Sequence, residues 1–244
     1  MAELPKHAKV VVIGQGGIVG ASVVHHLIEE GWDNIVGLEK SAIPTDIGST
    51  SHASDFCYMT THDKLNVFTS TYSREFYKKR GNYIEIGGME VARKDDDERM
   101  LELIRKVGSG KAFGTNAHMI SAAEAKEKFP LLEESEIQGA LWDPDAGLVT
   151  PRSQKVAGDL VDEAVASGKL KAFAYTPATK ILVEDGVAVG VETPKGTIMA
   201  DYLVLCAGIW GSLVSNTADV KLPLLPLEHP LLFFGPWDHL EGTG

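Results

Sequence analysis

Cysteine is scarce: only Cys57 and Cys206 occur in 244 residues. That is too few for a disulfide framework and fits a chain kept in a reducing cytoplasm, with each cysteine read as a small buried apolar residue. Basic residues are also in short supply, 23 Lys and Arg against 34 Asp and Glu, for a formal charge of −11. Such a charge repels nucleic-acid phosphate and anionic lipid, which excludes both as expected partners. No uninterrupted apolar run reaches membrane length. The best, Val10 to Ile28, is broken by Gly14, Gly16, Gly17 and Gly20 and carries His25 and His26, and no small-residue cleavage site follows it. A soluble, cytoplasmic protein is expected. Internal repeats and low-complexity tracts are missing too.

Metal-ligand patterns are equally lacking. Asp95-Asp-Asp-Glu98 has neither the alternating spacing nor the glycine of a calcium loop, and reads as a solvated helix start whose acids meet the positive end of the helix. His25 and His26 project to different sides of one helix, so no zinc site is expected.

What is present is an ordinary globular composition, 44% hydrophobic, enough for one or two domains. Val10 to Ile13 is a β-branched run closed by glycine, the pattern of a strand buried on both faces of a parallel sheet. From Ile18 to Glu30, Val19, Val23, Val24, Leu27 and Ile28 keep a helical stripe that Gly31 stops. Ile35 to Leu38 is a second strand ending at Glu39, completing a βαβ unit. Further on, Tyr83 to Val91 reads as strands around Gly87 and Gly88, and Asp95 to Val107 as an exposed helix. Ser121 to Glu124 forms a capping box before a short helix that Pro130 ends. Thr150-Pro151 predicts a helix with proline at its first position, buried through Val156, Leu160, Ala164 and Val165. Ile181 to Val183, Val187 to Glu192 and Tyr202 to Leu205 are strand-like, the first two joined by a hairpin at Glu184-Asp-Gly186.

The chemistry concentrates in the first turn. Gly14-Gln-Gly-Gly-Ile-Val-Gly20 lies between strand and helix, and Glu39 follows nineteen residues after Gly20. A glycine turn of this kind aims unpaired helix amides at a pyrophosphate, and an acid closing the second strand accepts from ribose hydroxyls. The loop is one residue longer than the usual G-x-G-x-x-G, and Gln15 to Gly17 must absorb the extra residue. Either Gly16 or Gly17 faces the phosphates.

These residues, together with Gly48-Ser-Thr-Ser-His-Ala53, Gly87-Gly-Met-Glu90, Ala207-Gly-Ile-Trp210 and Pro223-Leu-Leu-Pro-Leu-Glu-His229, resemble a known family. It is that of the glycine-oxidase and D-amino-acid-oxidase-like flavoproteins, and within it the dimethylglycine oxidase, dimethylglycine dehydrogenase and sarcosine dehydrogenase branch. The resemblance spans nearly the whole chain and implies FAD. It places Gly14, Gln15, Gly16, Gly17, Ile18, Val19, Gly20, Glu39 and Lys40 on the dinucleotide, Ser49 and Thr50 along its diphosphate, and His52 in a covalent bond to the flavin. Ser51 stands where many members carry tryptophan. Ala178 matches the place where main-chain groups hold adenine, Ala207, Gly208 and Trp210 match the chain's return to the cofactor, and His229 matches a histidine near the substrate amine. Without the resemblance, His52 reads as polar surface, Ala207 to Trp210 as a strand end, and His229 as a turn residue between prolines.

The expected architecture is α/β. A Rossmann-like FAD-binding domain (1–80 and 150–215) interleaves with an α+β substrate domain (81–149 and 216–244) whose carboxyl-terminal part is missing, because the resemblance implies a further strand and helix after Gly244. The expected reaction is oxidation of a small N-methylated amine such as dimethylglycine or sarcosine. The alternatives are oxidation of a primary amino acid or a catalytically incomplete fragment. A missing carboxyl-terminal segment or a folate-binding module is the expected protein partner.

Overall fold

A computed structural model describes residues 3–228, 230 and 232. The chain is a mixed α/β structure that separates into two compact units, one made of residues 1–54 and 163–244 and the other of residues 55–162. The division falls at 54/55 and inside a helix at 162/163, rather than near residues 80 and 150. Residues 55–80 therefore belong with the inserted unit, and the chain after residue 215 belongs with the first.

The first unit opens with β1 (His7–Ile13), α1 (Ile18–Glu29) and β2 (Ile35–Leu38), in agreement with the βαβ reading. Gly31, at φ +84°, lies just past the end of α1, a conformation that costs glycine little. The chain then passes into the second unit through β3 (Phe56–Cys57), α2 (Lys64–Lys79), β4 (Tyr83–Glu85), β5 (Gly88–Arg93), α3 (Asp97–Ala112), β6 (His118–Ile120), α4 (Ala122–Lys128), β7 (Ile137–Asp143) and β8 (Gly147–Val149). It returns along α5 (Ser153–Ala166) to β9 (Leu170–Phe173), β10 (Lys180–Glu184), β11 (Val187–Thr193), β12 (Gly196–Leu205) and the short α6 (Gly211–Ser215).

In the first unit a six-stranded sheet runs β10-β11-β12-β1-β2-β9. Its four strands from β12 to β9 are parallel, and β10 and β11 extend it as antiparallel neighbours. The hairpin between β10 and β11 has Asp185 and Gly186 both at positive φ, +50° and +79°, the two-residue turn that the Asp-Gly pair announces. Val11, Ile13, Val36, Leu38, Phe173, Val191 and Ile198 pack into one apolar cluster. Val10, Val12 and Ile35 are also fully buried, while α1 turns Gly20, Ala21 and Val24 inward. Burying each such aliphatic side chain contributes about 1.5 to 3 kcal/mol, which fixes the carboxyl ends of β1, β2 and β9 beside one another.

The second unit holds two three-stranded sheets, β3-β8-β4 and β5-β7-β6. Leu103 and Val107 of α3 pack with Ala92 and Leu141 of the second sheet. The Ser121 capping box forms as read, with both reciprocal bonds to Glu124 present, and Asp96 caps α3 by accepting from the Arg99 amide. At Gly87, φ is +74° and a Cβ would lie 2.1 Å from the Trp142 ring, which explains the need for glycine there.

Helix α5 corrects one expectation: it begins at Ser153, not at Pro151. The Asp55 carboxylate accepts from the Ser153 amide at 2.8 Å and from Arg152 Nε at 3.2 Å, a cap supplied from 98 residues away rather than from the local sequence. A second carboxylate organises this unit. Asp143 is fully buried and accepts from the amides of Met59 (3.2 Å), Thr60 (2.9 Å) and Asp145 (3.2 Å). Asp143→Ala would strand these donors in the interior, and we expect a loss of at least about 3 kcal/mol of stability by urea denaturation.

Candidate functional site

The carboxyl ends of β1 and β2 meet the amino end of α1 at the glycine turn. Gly14 leaves β1 at φ +87°, and a Cβ there would lie 2.4 Å from the Cys206 carbonyl oxygen at the end of β12. Gly20 passes equally close to the turn, since its Cβ would fall 2.3 Å from the Gly14 oxygen. Backbone thus touches backbone on both sides, and only glycine fits at either place. The amides of Gly14 and Gln15 donate to the Leu38 oxygen at 2.8 and 3.2 Å, fastening the turn to β2.

The longer loop is absorbed by Gln15, whose side chain folds inward over Gly37 of β2, its atoms 2.6 to 2.8 Å from where a Gly37 Cβ would sit. Gly16 and Gly17 then take different parts. The Gly16 amide donates to Glu39 Oε2 at 3.1 Å, whereas Gly17 is the extended N-cap of α1 and contributes no side chain. The amides of Gly17, Val19 and Gly20 have no acceptor among the described residues. This is the open end of a helix with no acidic residue in its first turn.

Glu39 is nearly buried. Its Oε1 accepts from the Ser41 amide at 3.1 Å and the Ser41 hydroxyl at 3.3 Å. Its main chain reaches β9 as well: the Glu39 amide donates to Phe173, and the Thr176 amide donates to the Glu39 oxygen. Beside it Lys40 lies over the Trp210 ring, 3.8 Å from its centroid. Ala207 and Gly208 are brought to the turn by the close approach of Cys206 and Ala207 to Gly14. Ala178 is half-buried against the sheet's apolar cluster, in the segment between β9 and β10.

The second motif comes to the same place. Thr50, buried, accepts through its hydroxyl from the Ile18 amide at 3.0 Å, a contact across 32 residues. The loop from Gly48 to His52 is thereby tied to the amino end of α1. Ser49 is exposed, as is His52. The His52 Nδ1 lies 3.0 Å from both the Gly48 oxygen and the Ser51 hydroxyl. A carbonyl partner requires the proton on Nδ1, which leaves the Nε2 lone pair directed away from the loop. His229 lies outside the described residues.

With this geometry in place, the comparisons with known proteins fall into register. A family model described as FAD-dependent oxidoreductase matches residues 9–243. The chain belongs to the FAD-dependent oxidoreductase family. Among curated relatives it is 32% identical over 244 residues to the mitochondrial pyruvate dehydrogenase phosphatase regulatory subunit of Mus musculus, covering 96% of this chain and 27% of that protein. It is also 32% identical over 239 residues to the mitochondrial sarcosine dehydrogenase of Homo sapiens, covering 93% of this chain and 25% of that one. Among solved structures it resembles L-proline dehydrogenase from P. horikoshii, with a TM-score of 0.79 and 29% identity over 89% of this chain and 57% of that one. The chain thus spans about a quarter of the length of these curated relatives.

Sequence reasoning missed a feature of the second unit. A pocket of about 310 Å³ is lined by one face of α2, including Ser70, Arg74 and Tyr77, together with Cys57 of β3 and Tyr83 of β4. The Arg74 guanidinium is shared among Glu75 (3.0 Å), Asp145 (3.0 Å) and Glu85 (3.7 Å), so it brings no uncompensated positive charge. Burial pushes the Tyr77 and Tyr83 phenols up, and the neighbouring Cys57 adds to this. Among the described residues no group of three or more acidic, His or Cys side chains could hold a metal ion, and no helix is long and apolar enough to cross a membrane.

Two predictions follow from this geometry. Thr50→Val keeps the shape but removes the acceptor for the Ile18 amide, and should lower stability by about 1 kcal/mol in a urea titration. Burial raises the thiol pKa of Cys206; for Cys57, burial and then the charge of Asp55 raise it. Both therefore stay protonated at neutral pH, and iodoacetamide at pH 7.5 should label the native chain at least about tenfold more slowly than the urea-unfolded chain.

Proposed function

We propose that the first unit holds FAD and that the protein oxidises a secondary or tertiary amine, an N-methylated glycine such as sarcosine or dimethylglycine. The observation that carries this reading is the bond from the Ile18 amide to Thr50 Oγ1. It joins the Gly14 to Gly20 turn and the Gly48 to His52 loop, two motifs that a simple nicotinamide fold has no reason to bring together.

The residues present fit the cofactor on physical grounds. Three amides without a partner among the described residues, those of Gly17, Val19 and Gly20, offer hydrogen bonds and a favourable dipole to a pyrophosphate. Among the described residues Glu39 Oε2 has a single donor, the Gly16 amide, and keeps room for a ribose hydroxyl. Lys40 and Trp210 stand beside it, Ala178 would present main-chain groups to the adenine, and Ala207 and Gly208 close on the turn. Ser49, exposed on the loop, would lie along the diphosphate. His52, its Nδ1 engaged and its Nε2 open, would carry the flavin covalently.

When bound, the flavin supplies acceptance of a hydride from the carbon attached to the amine nitrogen. The chain's own part is orientation. Thr50 and Glu39 fix the turn, and the Nδ1 contact fixes the orientation of the His52 ring. His229 is assigned to the substrate amine, where a neutral imidazole accepts a hydrogen bond or proton. A small amine is the proposed substrate and further carboxyl-terminal sequence the proposed partner. The two free thiols fit a reducing compartment such as the cytoplasm.

The likeness to a phosphatase regulatory subunit, at the same identity as to sarcosine dehydrogenase, favours a second reading in which a flavoprotein-like module serves regulation without turnover. Anaerobic mixing of the longest natural form with sarcosine, dimethylglycine and glycine separates the two. We expect bleaching of the flavin's visible absorbance by the methylated amines. We also expect flavin fluorescence to remain with acid-precipitated protein and to vanish in His52→Ala. Bleaching by glycine alone would move the substrate to primary amines, and no bleaching by any amine would favour the regulatory reading.

A further inference from the structure

Gln15 is fully buried, yet neither Oε1 nor Nε2 of its side chain has a hydrogen-bond partner among the described residues. A bare amide in the interior is costly, because both its donor and its acceptor were solvated before folding. The turn does not need it for shape: the bonds to Leu38 come from backbone amides, which any residue but proline supplies. The side chain lies over Gly37, where the lack of a Cβ gives it room. Side chains alternate along a strand, so the position over Gly37 is one pleat inward from Glu39 on the same face of β2.

We propose that Gln15 is a specificity-determining residue for the dinucleotide, its side-chain amide gaining hydrogen-bond partners on the adenosine ribose when the cofactor binds. The inference rests on the reading of the first unit as an FAD site. The chemistry of the amide selects the ribose over the pyrophosphate. Phosphate oxygens only accept, whereas ribose hydroxyls donate and accept, as the carboxamide does. Glu39, an acceptor alone, cannot offer a donor to the same hydroxyls. Gly16, the next residue, lies against the Glu39 carboxylate, so the buried carboxamide stands at the same end of β2 as that acceptor.

The test uses the longest natural form carrying His52→Ala, so that no flavin is covalently held, with Gln15 unchanged (the wild type at this position) beside Gln15→Leu and Gln15→Met. Thermal denaturation without ligand should show both variants at least as stable as wild type, because an unpaired amide has been exchanged for an apolar group of similar volume. Titration calorimetry with FAD and with ADP, which carries the adenosine half alone, should show affinity reduced roughly three- to tenfold for both ligands. Unchanged affinity for both ligands in the variants overturns the proposal. So does a marked loss of ligand-free stability in both, which would make Gln15 a structural residue. If the wild type binds neither FAD nor ADP, the dinucleotide reading itself fails and takes this inference with it.

Discussion

The chain's most consequential constraint is the set of hydrogen bonds converging on Glu39. Its carboxylate holds the Gly16 amide and Ser41, while its own amide and carbonyl engage Phe173 and the Thr176 amide. One residue thus ties the β1–α1 turn, the end of β2 and the end of β9. The parallel sheet can be built from many aliphatic sequences, but the positions of three strand ends relative to an open helix terminus cannot. A carboxylate that both shapes the turn and remains an acceptor also brings negative charge to the place proposed for an anionic cofactor. The open amides of Gly17, Val19 and Gly20 and the nearby Lys40 offset that charge.

What was legible in the sequence is what depends on near neighbours. The glycine spacing and the aliphatic runs give α1 and β2 almost to the residue and the carboxyl-terminal half of β1, the Ser121 box gives α4, and Asp185-Gly186 gives its hairpin. Each signal is local: a cap, a left-handed turn or a periodicity. The strands that escaped, β3, β6, β7, β8 and β9, are short or lack strict alternation, and they exist because a partner elsewhere in the chain pairs with them.

The site shows the same boundary. Its motifs could be read, but their contacts could not. That Thr50 caps the Ile18 amide, that Asp55 caps α5, and that Gln15 folds inward over Gly37 are facts of three-dimensional proximity across 22 to 98 residues, counting from Gln15 to Gly37 for the shortest. The extra loop residue signalled an irregularity without saying where the side chain would go. The division between units was misplaced for a related reason. Residues 55–80 show no compositional break, and contacts such as the pairing of β3 with β8 and the bonds from the Met59 and Thr60 amides to Asp143 tie them to the second unit.

The pairing of β1 with β12 has a temporal side. β1 lies between β2 and a strand about 190 residues further along the chain. At bacterial or eukaryotic elongation rates, roughly 10 to 40 s separate the emergence of these two segments from the ribosome. Throughout that interval β1 has one edge unpaired, and the Gly14 turn lacks the Cys206 backbone that flanks it. The glycine-turn end of the sheet, although β1 emerges early, is completed only once β12 has left the ribosome. A chaperone that shields an aliphatic strand edge would therefore find its client here before any cofactor could.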